Sequence, residues 1–289
     1  MSTEAATASR NRAILLMIGA TLCFSMMDVF AKSLAPRIGV PAGLWARYAG
    51  QMLFVVLLVA PRLHIVARTR HPVQQILRSF MLMGTTIFFF TGLTLLPLNA
   101  AAPLMNTSPV LITLGAALFL GEKLGPRRIA GIAAAMVGAL IVIRPGSGIF
   151  SAAAALPLLA ACCYSAYALL TRRLGPGEDP WTSLFYTGVV GTVVFSLVVP
   201  FYWQRPDLIA WLLILGLSLG GTLGQMLLIR AFSSGEAAML APYAYSGLIF
   251  ASFWGMTVFG EYPDVWTIVG TLVIAGAGLY VWHRETYRS

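Results

Sequence analysis

The sequence predicts an all-α membrane protein of ten transmembrane helices, arranged as two five-helix repeats of opposite orientation. Three observations carry this expectation. The 289 residues are 58% hydrophobic and only 10% charged, with mean hydropathy +0.82, whereas a typical soluble domain carries about 25% charged residues. Apolar runs of about 20 residues, the length that crosses a bilayer, follow one another with little chain between them. The second half also repeats the first: NAAAP (99–103) leads to Gly-Glu at 121–122, and AMLAP (238–242) leads to Gly-Glu at 260–261. Pro103 and Glu122 thus recur 139 residues later as Pro242 and Glu261.

The elements follow in order. The opening MSTEAATASRNR is polar and short. The apolar run behind it is too long for a signal-peptide core and lacks a small-residue cleavage site, so 13–34 is expected to stay as span one. Pro41 and Pro61 bracket span two (42–60), and spans three (77–96), four (100–120) and five (127–143) complete a first repeat, 13–143. The second repeat, 151–283, comprises spans six (151–171), seven (181–200), eight (208–229), nine (237–259) and ten (264–282). Pro180 and Pro200 bracket span seven as Pro41 and Pro61 bracket span two. ATLCFSMMDVFAKSL (20–34) lies over AACCYSAYALLTRRL (160–174), matching Cys23 with Cys163, Ser25 with Ser165 and Lys32 with Arg172. Because five is odd, the second copy enters the membrane from the other face, and Glu122 and Glu261 end at opposite sides. Inverted repeats of this kind characterise secondary transporters, whose two near-equivalent packings open a midplane site to one side and then the other.

The formal charge of +9 orients the chain rather than recruiting a nucleic acid. With both termini cytoplasmic, fourteen of the 19 Lys and Arg fall inside, Arg78 among them, and four fall outside or near it. That asymmetry is the positive-inside bias that sets orientation; the expected localisation is multi-pass in a bacterial-type inner (plasma) membrane, both termini cytoplasmic. The bilayer is one partner and a small-molecule solute the other.

Few residues carry chemistry. Asp28 is the only acid well inside a span and is a functional candidate on that ground; it fits proton coupling, or an ion pair with Lys32 four residues on. Arg47 fits a bidentate grip on a substrate carboxylate or an interfacial anchor beside Trp45 and Tyr48. Glu122 and Glu261 read as structural clamps. In span nine, Tyr243, Gly247, Phe250 and Trp254 share one helical face. Span four offers Asn106, span six Tyr164 and Tyr167, and span eight Gln225. Aromatic bodies with polar tips suit amphipathic solutes, and the same side chains also serve helix packing. Pro103 and Pro242 free backbone carbonyls and are helix-break candidates. Glycine-rich GLSLGGTLG (216–224) has no GKS/T ending and reads as a close-packing surface. Cys23, Cys162 and Cys163 show no metal-ligand spacing, so neither metal nor cofactor is expected.

NAAAPLMNTSPVLITLGAALFLGEKLGPRRIAGIAAAMVGALIVIRPG and AMLAPYAYSGLIFASFWGMTVFGEYPDVWTIVGTLVIAGAGLYVWHRE resemble the two EamA domains of the drug/metabolite transporter superfamily. The resemblance covers nearly the whole chain. It implies ten helices around a central cavity lined by spans one, three, four, six, eight and nine, with spans five and ten peripheral. It also implies metabolite export, amino acids prominently, with S-adenosylmethionine and nucleosides as alternatives.

The expected function is a secondary transporter exporting small amphipathic metabolites, chiefly amino acids including aromatic ones, by alternating access. Coupling to ATP is not expected, for want of a Walker motif; a proton, a counter-solute or the solute gradient remains. An intramembrane enzyme would need paired deep acids, a serine with a histidine, or a metal cluster. Asp28 has no second acid at its depth, and His64, His71 and His283 fall in loops or at a helix end. A passive channel is the remaining class, distinguished by flux too fast for a conformational cycle.

Overall fold

The computed structural model describes residues 3–120, 126–143, 152–174, 178–234, 240 and 243–286. Every regular element among the described residues is helical. Helix α1 (Thr3–Val59) is broken at Gly39, whose φ of 78° and ψ of 162° do not belong to a helix. Only glycine takes that conformation cheaply, and Pro36 and Pro41 remove backbone donors beside it. The two arms of α1 are the expected spans one and two.

A 3₁₀ turn (Ala60–Arg62) and a short α2 (Leu63–Val66) lead into α3 (Pro72–Leu95). Expected span four is two helices, α4 (Leu98–Met105) and α5 (Ser108–Leu120). The break at Asn106 and Thr107 comes just before Pro109, which has no N–H to return to the Met105 carbonyl and so sits in the first turn of α5, whereas α4 runs on through Pro103 to Met105. α6 (Pro126–Ile143), α7 (Ala155–Leu174), α8 (Pro180–Val198) and α9 (Leu208–Ser234) follow. α10 (Ser246–Phe259) and α11 (Val265–Thr286) close the described chain. Proline opens α3, α6 and α8, where its missing donor costs nothing. Gly260, at φ 64°, ends α10 and lets the Glu261 N–H return to the Gly255 carbonyl at 2.9 Å.

Four described stretches are long and apolar enough to cross a membrane: Asn11–Val66, Pro72–Leu95, Pro180–Phe201 and Leu208–Ala231. Shorter apolar helices run Ile129–Ile143, Ala155–Thr171, Ser246–Phe259 and Val265–Tyr280. Leu57, Leu197, Leu212 and Leu272 are each more than 60% exposed, an outer face that hydrocarbon solvates and water does not.

α1 packs along α9, α8, α10 and α3, while α3 packs on α7 and α8. α6 and α11 pair chiefly with each other. The glycine-rich segment of α9 receives side chains of α1: a Cβ on Gly216 would lie 2.8 Å from the Phe30 ring, and one on Gly224 would lie 2.9 Å from Phe24. Small residues there let the two helices approach as van der Waals packing in lipid requires.

Loop contacts sort into two ends. At one, Arg37 pairs with Asp207 at 2.6 Å and Trp45 meets Trp203 edge-on at 5.9 Å. At the other, Thr69 donates to Glu178 at 2.9 Å and the Tyr186 hydroxyl donates to the Ala67 carbonyl at 3.1 Å. The polar residues of interest lie between these ends.

Candidate functional site

Arg47, on the second arm of α1, is 5% exposed, which removes the interfacial-anchor reading. One Nη donates to Thr86 Oγ1 of α3 at 2.5 Å, and the same oxygen meets the Tyr48 hydroxyl at 2.9 Å. The guanidinium also lies over the Tyr48 and Phe90 rings, 5.4 and 5.7 Å from their centroids, a favourable seat for a cation. Tyr48 is held in turn by stacking on Phe195 at 5.8 Å.

A second cationic centre lies lower on α3. Arg78 is 1% exposed. One Nη donates to Gln75 Oε1 at 3.0 Å; the other faces the Tyr167 hydroxyl, the Ser183 carbonyl and Thr187 Oγ1 at 3.4–3.5 Å. Its guanidinium sits 5.0 Å from the Tyr167 ring centroid. Gln225 of α9 donates to the Tyr167 hydroxyl at 2.8 Å, and Tyr164 lies 5.8 Å from Tyr167. Three expected site residues, Tyr164, Tyr167 and Gln225, are therefore brought together around Arg78, which was expected at the cytoplasmic edge. The missed signal was present in the sequence: Gln75, Arg78, Ser79 and Thr86 form a polar stripe at helical spacing in an apolar helix. All four are buried.

Helix α1 carries its own stripe, Thr21, Ser25, Asp28 and Lys32, along the face toward α10. Thr21 meets Ser246 at 2.8 Å, and Trp254 Nε1 donates to Ser25 at 3.2 Å. Lys32 does not pair with Asp28. Its Nζ donates to Glu261 Oε1 at 2.5 Å and to the Leu96 carbonyl at 3.1 Å. An i,i+4 pair is worth only about 0.2–0.5 kcal/mol, whereas a sheltered charge-assisted bond is stronger. Glu261 also accepts from the Leu98 N–H at 2.7 Å, and its carbonyl accepts from Asn99 Nδ2 at 3.0 Å. It ties α1, the start of α4 and the end of α10 together. Arg47 is the charge within electrostatic reach of Asp28, but the two form no ion pair; Lys32 pairs with Glu261 and Arg37 with Asp207.

The other expected residues are dispersed. Asn106 Nδ2 donates to the Ala102 carbonyl at 2.9 Å, satisfying the helix break. Tyr243 packs on the Ala13, Met17 and Leu240 cluster at the start of α1. Trp254 joins the main core cluster, and Phe250 is half-buried on the same helix. Pro103 is buried in α4. Pro242 and Glu122 lie outside the described residues.

Two structural features recur at the 139-residue offset of the repeated motif. The break at Asn106 corresponds to a turn at Tyr245 before α10. Thr86 corresponds to Gln225, and each bonds a tyrosine hydroxyl, of Tyr48 and Tyr167 respectively.

Comparison with known proteins places this arrangement. A riboflavin transporter of Rhizobium johnstonii is 31% identical over 281 residues, covering 95% of this chain and 92% of that protein. A pseudopaline exporter of Pseudomonas aeruginosa is 31% identical over 271 residues, covering 91% and 93%. An S-adenosylmethionine uptake transporter of Rickettsia bellii is 28% identical over 75% of each chain. One solved crystal structure superposes with TM-score 0.70 over 96% of this chain and 98% of its own, at 16% identity, a likeness of fold. The EamA-like transporter family matches residues 11–144 and again 151–282. With both halves of its sequence matched and its helices forming an apolar bundle around buried polar clusters, the chain belongs to the EamA-like transporter family.

Proposed function

We propose that the chain is a secondary transporter exporting small amphipathic metabolites, amino acids with aromatic side chains among them, by alternating access. The observation that carries this reading is the polar seam between α3, α7, α9 and the second arm of α1. It puts Arg47, Thr86, Arg78, Tyr167 and Gln225 inside a bundle with a hydrocarbon outer face. Buried polar and ionisable groups in a membrane are costly and are kept where a solute uses them. In this reading the ten spans form two inverted repeats, 13–143 and 151–283, around a central cavity. Both termini are cytoplasmic, and the helices interrupted near 106 and 245 flank the solute, as broken helices do in transporters. Asp28 is the coupling candidate if a proton drives exchange. A second reading, a carrier of S-adenosylmethionine or nucleosides, draws support from the relatives named for S-adenosylmethionine uptake and from the Tyr164–Tyr167 pair as a stacking face.

The test is counterflow in proteoliposomes with labelled tryptophan, threonine, riboflavin, S-adenosylmethionine and adenosine. Saturable, trans-stimulated exchange of at least one solute is expected. Trp254→Ala should weaken competition by tryptophan more than by threonine, by about fivefold if ring contact contributes about 1 kcal/mol. No saturable exchange with any of the five refutes the transport reading; flux without trans-stimulation selects a channel.

A further inference from the structure

We infer that Arg78 and Arg47 are successive stations for one anionic group, a carboxylate or a phosphate, on the transported solute. This rests on the transport reading and names the chemistry its site selects. Each guanidinium is at least nine-tenths buried, and neither lies within ion-pair distance of a carboxylate among the described residues. On the Arg78 side, Gln75 stands between the guanidinium and Glu178: its Oε1 accepts from Arg78 at 3.0 Å and its Nε2 donates to Glu178 at 3.2 Å. On the Arg47 side, Asp28 interacts electrostatically but without an ion pair.

Both guanidiniums are also under-used as donors. Arg has five N–H groups in a rigid fork. The Nε of Arg47 and the Nε of Arg78 are buried with no hydrogen-bond partner. Three of the four bonds of Arg78 are 3.4–3.5 Å long, at the weak end of the range. An uncompensated buried charge costs several kcal/mol, so both sites are more favourable when an anion arrives. The planar fork matches a carboxylate or phosphate bidentately. Gly221 of α9 lies against Arg47: a Cβ there would stand 3.6 Å from Nε and 3.1 Å from Met27 Sδ.

Their spacing suits a relay. Arg78 and Thr86, which holds Arg47, are eight residues apart on α3, about 12 Å along the axis at 1.5 Å per residue. Tyr48 and Tyr167 stand beside the two cations. A solute's acidic group thus meets the two arginines of the first repeat in turn, and its apolar body lies against a tyrosine at each.

Matched solute pairs that differ in the acidic group test this: tryptophan against tryptophanamide, riboflavin 5′-phosphate against riboflavin, AMP against adenosine. Two readouts are used: the melting shift of the purified protein in detergent, and inhibition of counterflow in proteoliposomes. In the wild type the anionic member of at least one pair is expected to act at tenfold lower concentration. The carboxylate and phosphate pairs tell the two anions apart. Arg78→Gln and Arg47→Gln should each narrow the preference to within about twofold, and Arg78→Lys should leave it intermediate, keeping charge without the fork. Because the wild-type comparison needs no variant, a misfolded Arg78→Gln does not decide the matter. Equal or better action of the member lacking the acidic group in all three pairs, by both readouts, overturns the inference. A tenfold preference that survives both glutamine variants overturns it also. An anion preference in melting without any flux supports the stations and refutes transport; flux without anion preference does the reverse.

Discussion

The Lys32–Glu261 contact gives the sharpest quantitative test of the fold. Its side chains are 14% and 20% exposed, against 39% and 54% for Arg37–Asp207, so one molecule holds a sheltered pair and an exposed control. Glu261→Gln removes the charge that Lys32 faces and turns an amide N–H₂ toward either Lys32 or the Leu98 N–H, both of them donors. One charge-assisted hydrogen bond, about 1.5–3 kcal/mol, is lost. Lys32→Met is expected to cost about as much, because the carboxylate then keeps only the Leu98 N–H. For exposed pairs, double-mutant cycles give about 0.2–1 kcal/mol. The assay is reversible unfolding in mixed micelles, followed by the fluorescence of the seven tryptophans. The Lys32/Glu261 cycle is expected to yield a coupling of about 1.5–2 kcal/mol, little changed by salt, with a melting drop on the order of 5 °C for each single variant. The Arg37/Asp207 cycle should yield under about 1 kcal/mol and fade at high ionic strength. Equal couplings for the two pairs would refute the claim that Lys32–Glu261 clamps three helices in a low-dielectric setting.

Further outcomes follow from single contacts. Gly191→Ala should destabilise by about 1–3 kcal/mol in the same assay, since a Cβ there would stand 2.2 Å from the Tyr48 ring; an unchanged melting temperature would mean that α8 and α1 are not packed as described. Tyr167→Phe strips the acceptor from Gln225 Nε2 and should cost about 1–3 kcal/mol, with Gln225→Leu in that background recovering part of it; additive losses would show the two side chains to be independent. Asp28→Asn should abolish the response of counterflow to an imposed pH gradient while the protein remains folded, and undiminished gradient-driven exchange would remove Asp28 from coupling. In a cysteine-free background, an impermeant thiol reagent applied outside should label Arg205→Cys and spare Arg70→Cys; the reverse pattern would invert the topology expected from the basic residues.

The limits of legibility fall where distance along the chain exceeds what one helix can report. The helical class and the packing role of GLSLGGTLG were readable, because hydropathy and glycine act on their own neighbourhood. The partner of Lys32 was not, since Asp28 offers a local pair while Glu261 stands 229 residues away. Arg47 was ambiguous for a related reason. An arginine one turn inside a span has the same sequence whether it reaches the interface or bonds Thr86, and α3 decides. Arg78 lies near a span edge, where a loop cation is equally expected, but with Gln75, Ser79 and Thr86 it forms a buried polar stripe at helical spacing on α3.

The repeated motif also bears on how the seam came to hold two arginines rather than one. The 139-residue offset carries Thr86 onto Gln225 and Asn106 onto Tyr245, so hydrogen-bonding positions and helix breaks recur in both halves. The cations do not recur. At the same offset Arg47 falls on Tyr186 and Arg78 on Leu217, and both arginines belong to the first half. A duplicated scaffold repeats helix positions, whereas a charge is set by a single side chain and can differ between the copies. Placing both charges on the first repeat, one on α3 and one on the arm of α1 that α3 contacts, keeps them on helices that pack together. The second repeat contributes neutral partners, Tyr167, Ser183, Thr187 and Gln225. If α3 and the second arm of α1 move together against α7 and α9, the distance between the arginines stays fixed while their neutral partners change. On the proposed relay, an acidic group would then pass between two charges at constant separation while the surrounding hydrogen bonds exchange.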